Sequence, residues 1–365
     1  MLRVKPKYCP AAIEISASSL KLLQLAKLKS SYKIVKADYL SFKVDKNAPS
    51  VIPKDALEKL VRANQVKGDV ITSIPLDKIN IYTYILPTMP AEEIEQALIW
   101  KIKQNLSPGV NFDDIYFDYA HNGGQGENSK EIYALVFIAA KKMIADMIKL
   151  FKGLSLNLIS VEPQPYAIIG LLSLLKYISD QETVLVLQLG SSHSSIAIVS
   201  GGYPYSITPL AVSGNGFSEA ISGYYQIDQQ KAEDLKIKEG LGALQLDGTQ
   251  EATEGGCLAA LSSQLESLVI DIEHGFKYFS HQLVKSKITA FDRLILCGSA
   301  CSLKNLDKFL SDKLKAPVSV FDPVDIFISH SEPEVKESVR NNSSTFAATL
   351  GLATEFIKGE LWGPG

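Results

Sequence analysis

The sequence predicts an α/β protein of two similar halves around a central cleft, with a small α+β subdomain inserted into the first half. Strands and helices alternate along the whole chain, which is typical of α/β proteins. Two segments, 12–21 and 186–196, share one pattern: an apolar strand, a polar side chain, a run of small residues and a further apolar strand. A third segment, 79–156, separates the halves and has its own order of strand, helix, two strands and helix.

The composition is that of a globular protein large enough for two domains: 365 residues, of which 46% are apolar and 21% charged. A net charge of −3 gives no electrostatic reason to expect a nucleic-acid partner or an acidic membrane surface. The longest apolar stretch, 166–178, is shorter than the roughly 20 residues that a membrane span needs, so we expect no direct membrane insertion. Four scattered cysteines, and no signal-like apolar run in the first ten residues, predict a reduced, cytoplasmic protein.

Both halves are expected to open with three consecutive strands. In the first half the hairpin leads into strands at 19–28 and 32–42, and in the second half into strands at 195–199 and 204–210. The agreement lies in the order of elements rather than in identical residues, which makes it a weak internal repeat.

The inserted segment begins with an alternating strand, 79–86, which Pro87 and Pro90 bring to an end. A helix follows, and we expect Trp100 on it to pack in the core rather than in a groove. Strands at 115–119 and 132–139 are predicted to pair, and a second helix to end at Gly153. The buried stripe of the first helix is predicted to carry Ile94, Leu98, Ile102 and Leu106, which lie four apart.

The second half contains one long helix whose apolar residues step by three or four from Leu261 to Leu283, which predicts a face packed in the core. A strand at 294–296, a helix through 306–310 and a strand at 318–321 follow. We accordingly expect the first half at 1–78 and 157–180, the insertion at 79–156, the second half at 181–355 and a tail at 356–365.

The two hairpins are candidate anion-binding turns. Small residues let backbone N–H groups approach an anion closely, so two facing turns could hold the phosphates of a nucleotide. From the residues alone, Glu14 is either a metal ligand or a buried carboxylate with a local partner. Lys21, seven positions further on, is either a phosphate-binding lysine or a surface lysine.

In the order of its motifs the chain resembles the actin-like superfamily, whose duplicated, ribonuclease-H-like domains bind ATP in the cleft between them. The two hairpins resemble the two phosphate motifs of that superfamily. Segment 213–221 resembles its glycine-rich stretch before a helix, 232–236 the segment that approaches ribose and adenine, and 296–300 the adenosine motif. The resemblance implies ATP held by Ser16, Ala17, Ser18, Ser19, Lys21, Gln188, Gly190, Ser191, Ser192, His193, Gly214, Glu233, Lys236, Gly298 and Ser299, with Mg²⁺ at Glu14.

Three departures from the superfamily pattern fall on the chemistry. Glu14 is one methylene longer than the usual aspartate, Gln188 replaces the second aspartate with a neutral amide, and Ser16 places a Cβ where a glycine is usual. The residue that would activate a water is either Glu162 or Gln164. The departures predict that ATP is bound weakly or not at all, and they leave enzymatic activity undecided.

Within the superfamily the chain resembles the PilM family of type IV pilus assembly proteins, above all in segments 86–94 and 153–167. This resemblance implies a cytoplasmic scaffold of a pilus, competence or secretion system, peripheral at the inner face of the membrane. Its implied partners are other pilus inner-membrane platform components and the short cytoplasmic N-terminal tail of a PilN-like inner-membrane protein. In that family the tail lies in a groove between the first half and the insertion.

Two alternatives remain open: an active actin-like ATPase and an FtsA-like, filament-forming protein. FtsA-like proteins end in a basic amphipathic membrane helix, for which the segment 356–365 is too short and too rich in glycine.

Overall fold

The computed structural model describes residues 7–27, 32–42, 54–122, 131–242, 256–284, 288–323 and 343–362, with the backbone alone for 357–362. This part of the chain forms thirteen strands in three sheets, together with nine α-helices. The predicted α/β class is confirmed. The expected strand end at residue 28 and the last three residues of the expected tail lie outside the described residues.

The first half is built on a five-stranded sheet. Its strands are β1 (Lys7–Ile15), β2 (Ser19–Lys27), β3 (Tyr32–Ser41), β4 (Gly68–Ile74) and β8 (Leu156–Pro163). They lie in the order β3-β2-β1-β4-β8, with β1, β2 and β3 antiparallel and β4 and β8 parallel to β1. Helix α1 (Lys54–Ala63) covers one face, where Leu57 and Leu60 pack with Ile13 and Leu20.

The second half repeats this sheet strand for strand. Its strands are β9 (Thr183–Leu189), β10 (Ser194–Ser200), β11 (Tyr203–Leu210), β12 (Arg293–Cys297) and β13 (Val318–Val320). The order β11-β10-β9-β12-β13, with the same parallel and antiparallel pairings, matches that of the first half. The predicted duplication is therefore present in the fold.

The helices of the second half cover its sheet. They are α5 (Gly214–Tyr225), α6 (Gln229–Glu239), α7 (Leu258–Tyr278) and α8 (Leu306–Leu314). On α7 the apolar stripe from Leu261 to Phe276 is buried in the core of this half, as the spacing predicts. The stripe continues through a π-helical turn, Phe279–Leu283.

The insertion is a three-stranded antiparallel sheet with one helix on its outer face. Its elements are β5 (Ile79–Pro87), α2 (Ala91–Asn105), β6 (Ile115–His121), β7 (Glu131–Ala140) and α3 (Lys141–Gly153), with the strand order β5-β7-β6. Ile94, Leu98 and Ile102 of α2 are buried against the sheet, as predicted. Leu106, the fourth residue of the predicted stripe, lies just past the end of the helix and is half-buried. The prediction for Trp100 is wrong: its side chain is 58% exposed, because it lies off the buried stripe of α2.

Helix α3 is the last element of the inserted segment, but it packs on the first half. Met147 and Phe151 are buried with Ile13 and Leu57 in the core of that half. Its outward residues Ile144 and Ile148 face β8 and β6, at the boundary between the first half and the insertion.

Two helices, α4 (Gln164–Leu174) and α9 (Ala347–Trp362), pack between the two large sheets. They approach closely at Gly351, where a Cβ would lie 2.3 Å from the carbonyl oxygen of Ala167. Their apolar residues join strands of both halves in one core, so the halves are held together independently of the cleft. In the described ranges we find no helix with both the length and the apolarity that a membrane crossing requires.

Candidate functional site

The two hairpins line a cavity of about 620 Å³ between the halves. The cavity brings together most of the residues that the sequence predicts for a nucleotide site. On its wall lie Glu14, Ser16, Ala17, Ser18, Ser19, Lys21, Gln164, Gln188, Gly190, Ser191, Ser192, His193, Glu233, Lys236, Gly298 and Ser299. Gly214 lies behind the wall, where its N–H donates to the carbonyl oxygen of Gly190. Glu162 lies outside the cavity and lines a different groove.

Glycine is required at two of these positions by the approach of neighbouring backbone. At Gly190 a Cβ would lie 2.3 Å from the carbonyl oxygen of His193, which closes the turn of the second hairpin. Gly298 has a φ of +99°, and a Cβ there would lie 2.5 Å from the carbonyl oxygen of Leu189. Both glycines therefore serve the local backbone, whatever the cavity holds.

The carboxylate of Glu14 is buried and surrounded by donors from this chain. The β1–β2 register places Lys21 directly opposite, and its Nζ lies 2.6 Å from Glu14 Oε1. Ser16 Oγ donates to the same oxygen at 3.0 Å, and Thr349 Oγ1 of α9 donates to Oε2 in a short hydrogen bond. Glu14 thus has the local partners that one of its two interpretations expects.

A chain of two glutamines crosses the cleft beside this pair. Gln188 Nε2, in the second half, donates to Gln164 Oε1 at 3.0 Å. Gln164 Nε2 in turn donates to the carbonyl oxygen of Ile15, in the first hairpin, at 3.2 Å. Both side chains are buried, and Gln188 Oε1 accepts no hydrogen bond from the described residues. The two hairpins are therefore joined directly by side chains of the protein.

A second ion pair lies on the opposite wall of the cavity. Lys236 Nζ is 2.7 Å from Glu233 Oε2 and also donates to Ser218 Oγ and to the carbonyl oxygen of Gly214, each at 2.9 Å. Ser218 Oγ donates to the same Glu233 oxygen in a short hydrogen bond. Both lysines of the cavity wall are thus already paired with carboxylates.

The volume of the cavity suits a nucleotide, but its charges do not suit a magnesium triphosphate. The charged side chains on its wall are three carboxylates, including Asp322, and two lysines. Mg²⁺ is usually held by one or two carboxylates together with phosphate oxygens and water. Glu14 is tied to Lys21, Gln188 is neutral, and the described residues contain no cluster of three potential metal ligands. The residues present therefore do not fit Mg²⁺.

A second cavity, a groove of about 420 Å³, runs between the first half and the insertion. One wall is β8, an edge strand of the first-half sheet, and the other is β6, an edge strand of the insertion sheet. The β4–β8 register slips by one residue so that Ile159 has no partner on β4, a β-bulge that leaves its side chain 46% exposed. Tyr116 on β6 and Ile148 on α3 are also exposed there. The groove is lined mostly by apolar side chains, together with Asp118, Ser160 and Glu162, and is bounded by two strand edges.

Nearly the whole chain matches one protein family. The family model described as Type IV pilus assembly protein PilM matches residues 12–356. The chain belongs to the PilM family. The solved structure titled PilM-PilN type IV pilus biogenesis complex has a TM-score of 0.76 at 20% identity, covering 96% of this chain and 98% of that chain.

Other solved structures share the fold at lower similarity. The ethanolamine utilization protein EutJ from Carboxydothermus hydrogenoformans has a TM-score of 0.53 at 13% identity, covering 96% of this chain and 90% of that one. MreB 5 of Spiroplasma citri, solved with AMPPNP bound, has a TM-score of 0.51 at 13% identity, covering 96% and 98%. At these identities the likeness concerns the fold, which is that of the actin-like proteins, as predicted.

The insertion of this PilM-family chain also forms hydrogen bonds with the second half. Tyr203 Oη lies 2.8 Å from the carbonyl oxygen of Ala120 and 2.9 Å from that of Tyr133, and it accepts from the N–H of Leu135. Thr83 Oγ1 donates to the carbonyl oxygen of Tyr205 at 2.6 Å. The insertion therefore contacts both halves, which fixes one wall of the groove.

Sequence reasoning missed three kinds of residue at these sites. Thr349 is far from Glu14 in sequence, and no local pattern could have connected them. The bulge at Ile159 depends on the β4–β8 register, which is invisible in a single strand. Tyr203 lies one residue before the strand predicted at 204–210, and no role is predicted for it. A buried tyrosine usually finds a partner for its hydroxyl, but the burial of this ring is not apparent from the sequence.

Proposed function

We propose that this PilM-family protein is a cytoplasmic scaffold of a type IV pilus, or of a related competence or secretion system. It binds the short cytoplasmic tail of a PilN-like inner-membrane protein, and through that tail and other platform components it lies at the inner face of the membrane. The observation that carries the proposal is the apolar groove between β8 and β6.

The groove has the features that an extended peptide requires. A strand edge offers backbone N–H and C=O groups to a peptide, and pockets between alternate side chains give the register. Here two edges face one cavity, so a peptide can pair with either wall while its side chains reach Ile159, Tyr116 and Ile148. The relative whose title joins PilM with PilN supports the choice of a PilN-like tail as this peptide.

The cleft supports a positional role rather than turnover. Gln164, one of two candidates for activating a water, has its amide bonded to Ile15 and Gln188, and the other candidate, Glu162, lies in the groove. An incoming triphosphate must compete with the Glu14 and Glu233 carboxylates for the two lysines. We therefore propose that ATP binds weakly or not at all and that Mg²⁺ is not required. The rival, an active ATPase, is favoured by the volume of the cavity and by the predicted nucleotide-site residues on its wall.

Binding of the tail tests the proposal. A fluorescein-labelled peptide of the PilN-like tail from the same genome is titrated with the protein, and its anisotropy is measured with no nucleotide present. We expect saturable binding, weakened about tenfold or more by Ile159→Glu, which places a charge in the apolar groove. Ile270→Glu is the matched control, since Ile270 is 50% exposed on α7, away from the groove.

Equal affinities for wild type and both variants would place the peptide elsewhere and contradict the proposal. Absence of saturable binding to the wild-type protein would contradict it as well.

A further inference from the structure

The two strand edges that bound the groove differ in regularity. β6 pairs with β7 over all seven of its residues without a shift in register. β8 contains the bulge at Ile159 and ends at Pro163, which has no backbone N–H to donate. A bulge twists a strand and interrupts its row of backbone groups, and natural proteins use bulges to prevent pairing at a sheet edge. β6 is therefore the better edge for an added strand.

The hydrogen bonds at the end of β6 show which of its backbone groups face β7. Opposed residues of an antiparallel pair alternate between those that exchange backbone hydrogen bonds and those whose N–H and C=O groups point away from the partner strand. The N–H of Asn122, just after β6, donates to the carbonyl oxygen of Tyr133 on β7 at 3.2 Å. By this alternation the backbone groups of Asp118 and Ala120 also face β7.

The intervening residues of β6, Phe117 and Tyr119, turn their backbone groups the other way. A hydrogen bond agrees with this assignment, since the N–H of Tyr119 donates to the side chain of Asp118 at 2.8 Å. Both residues line the groove. The N–H and C=O groups that β6 presents there come from residues two apart, which is the spacing at which an extended peptide pairs with a strand edge.

The carboxylate of Asp118 acts as a removable cap on this edge. Its side chain is exposed and satisfies the outward N–H of Tyr119. Asp38 does the same for the N–H of Tyr39 on β3, the edge of the first-half sheet opposite β8, also at 2.8 Å. Rotation of a side chain releases such a cap, whereas a bulge is fixed in the backbone. On β6 the carbonyl oxygen of a peptide can therefore replace the cap.

We propose that the tail binds as a fourth strand of the insertion sheet, paired with β6 through the backbone N–H and C=O groups of Phe117 and Tyr119. β8 contributes side chains to the contact, with Ile159 as an apolar anchor, and no backbone pairing. The proposal rests on the proposed function and specifies which of the two walls recognises the backbone of the peptide.

Proline at position 119 tests this pairing in the protein. Proline removes an N–H but is tolerated in an edge strand where that N–H points outward. By anisotropy, Tyr119→Pro should bind the labelled tail about tenfold more weakly than Tyr119→Val, which loses the same ring but keeps the N–H. The two variants should have similar melting temperatures. Asp118→Pro removes an N–H that faces β7 and should melt at a clearly lower temperature.

Residue-resolved hydrogen exchange gives a second measurement on the unaltered protein. We expect the tail to slow exchange of the amides of Phe117 and Tyr119 more than those of Asp118 and Ala120, whose N–H groups already face β7. The readout does not depend on whether a proline variant folds.

The outcomes separate the two proposals. If the native tail does not bind the wild-type protein, the proposed function fails. If it binds, but Tyr119→Pro and Tyr119→Val have equal affinities for it, or the amides of Phe117 and Tyr119 exchange at unchanged rates, the groove remains a peptide site and this inference alone is overturned. A Tyr119→Pro variant that melts as low as Asp118→Pro would also overturn it, because the N–H of Tyr119 would then be part of the sheet.

Discussion

At the scale of single residues, Glu14 is paired with Lys21 and Glu233 with Lys236 in the cleft. These are positions at which the resemblance to the actin-like superfamily implies contacts with the nucleotide or its metal ion. Glu14 and Lys21 face each other because the hairpin register puts them opposite, and the sequence could predict that register from its short turn. It could not predict Thr349, which reaches Glu14 from α9 at the other end of the chain. The two interpretations of Glu14 could therefore be stated from sequence but not decided.

The glutamine bridge leads to a prediction about nucleotide binding. Gln188→Asp replaces the neutral amide with a carboxylate on the second hairpin and removes the bond to Gln164. We expect lower thermal stability without ligand, because a buried carboxylate without a cation is costly. We also expect a larger rise in melting temperature on adding Mg-ATP than in wild type, because the new carboxylate can bind Mg²⁺.

Gln188→Asn is the control for this substitution, since it shortens the side chain equally without adding charge. If Mg-ATP raised the melting temperature of the wild-type protein as much as that of Gln188→Asp, the result would show that the cleft needs no second carboxylate to bind Mg-ATP. The conclusion that a neutral Gln188 weakens nucleotide binding would then be wrong.

At the scale of elements, periodicity predicted which faces are buried more reliably than residue type did. The stripe Ile94, Leu98 and Ile102 of α2 is buried, whereas Trp100, which we expected in the core although it lies off that stripe, is exposed. Helix α3 shows a different limit: its stripe is apparent in the sequence, but nothing local indicates that it packs on the first half. Which partner covers a face depends on the tertiary fold.

Tyr203 gives a prediction for the contact between the insertion and the second half. Tyr203→Phe removes the hydroxyl that bonds Leu135 and one of the carbonyls of Ala120 and Tyr133. We expect a loss of about 1–3 kcal/mol in the free energy of unfolding, because buried backbone groups lose a partner. Urea unfolding measures it.

Tyr224→Phe is the matched control, since Tyr224 is exposed on α5, and we expect a change within about 0.5 kcal/mol. Equal stabilities of the two variants would mean that the Tyr203 contacts do not hold the insertion in place.

At the scale of the whole molecule, the duplication could be predicted because the two halves have the same order of strands and helices although their residues differ. The positions of the cleft and of the insertion followed from it. The groove did not: without the PilM resemblance, nothing in the sequence places β6 beside β8, since the two strands belong to different sheets.

The same strand connects the groove to the cleft. β8 lines the groove from Leu158 to Pro163, and α4 begins at the next residue, Gln164, whose side chain crosses the cleft. With α4 and α9 packed between the sheets and Tyr203 holding the insertion, the groove is preformed by the fold. We therefore expect the groove to bind peptide without nucleotide.

Hydrogen exchange followed by mass spectrometry tests this central claim most directly. The protein is labelled with and without the PilN-like tail, in the absence of ATP and Mg²⁺, with the Ile159→Glu variant as control. We expect the tail to slow exchange in 115–121 or 156–163, the two strand edges, and to have little effect in the variant. Slowed exchange confined to the hairpins at 15–21 and 188–194, or seen only after Mg-ATP is added, would contradict a preformed groove that binds peptide on its own.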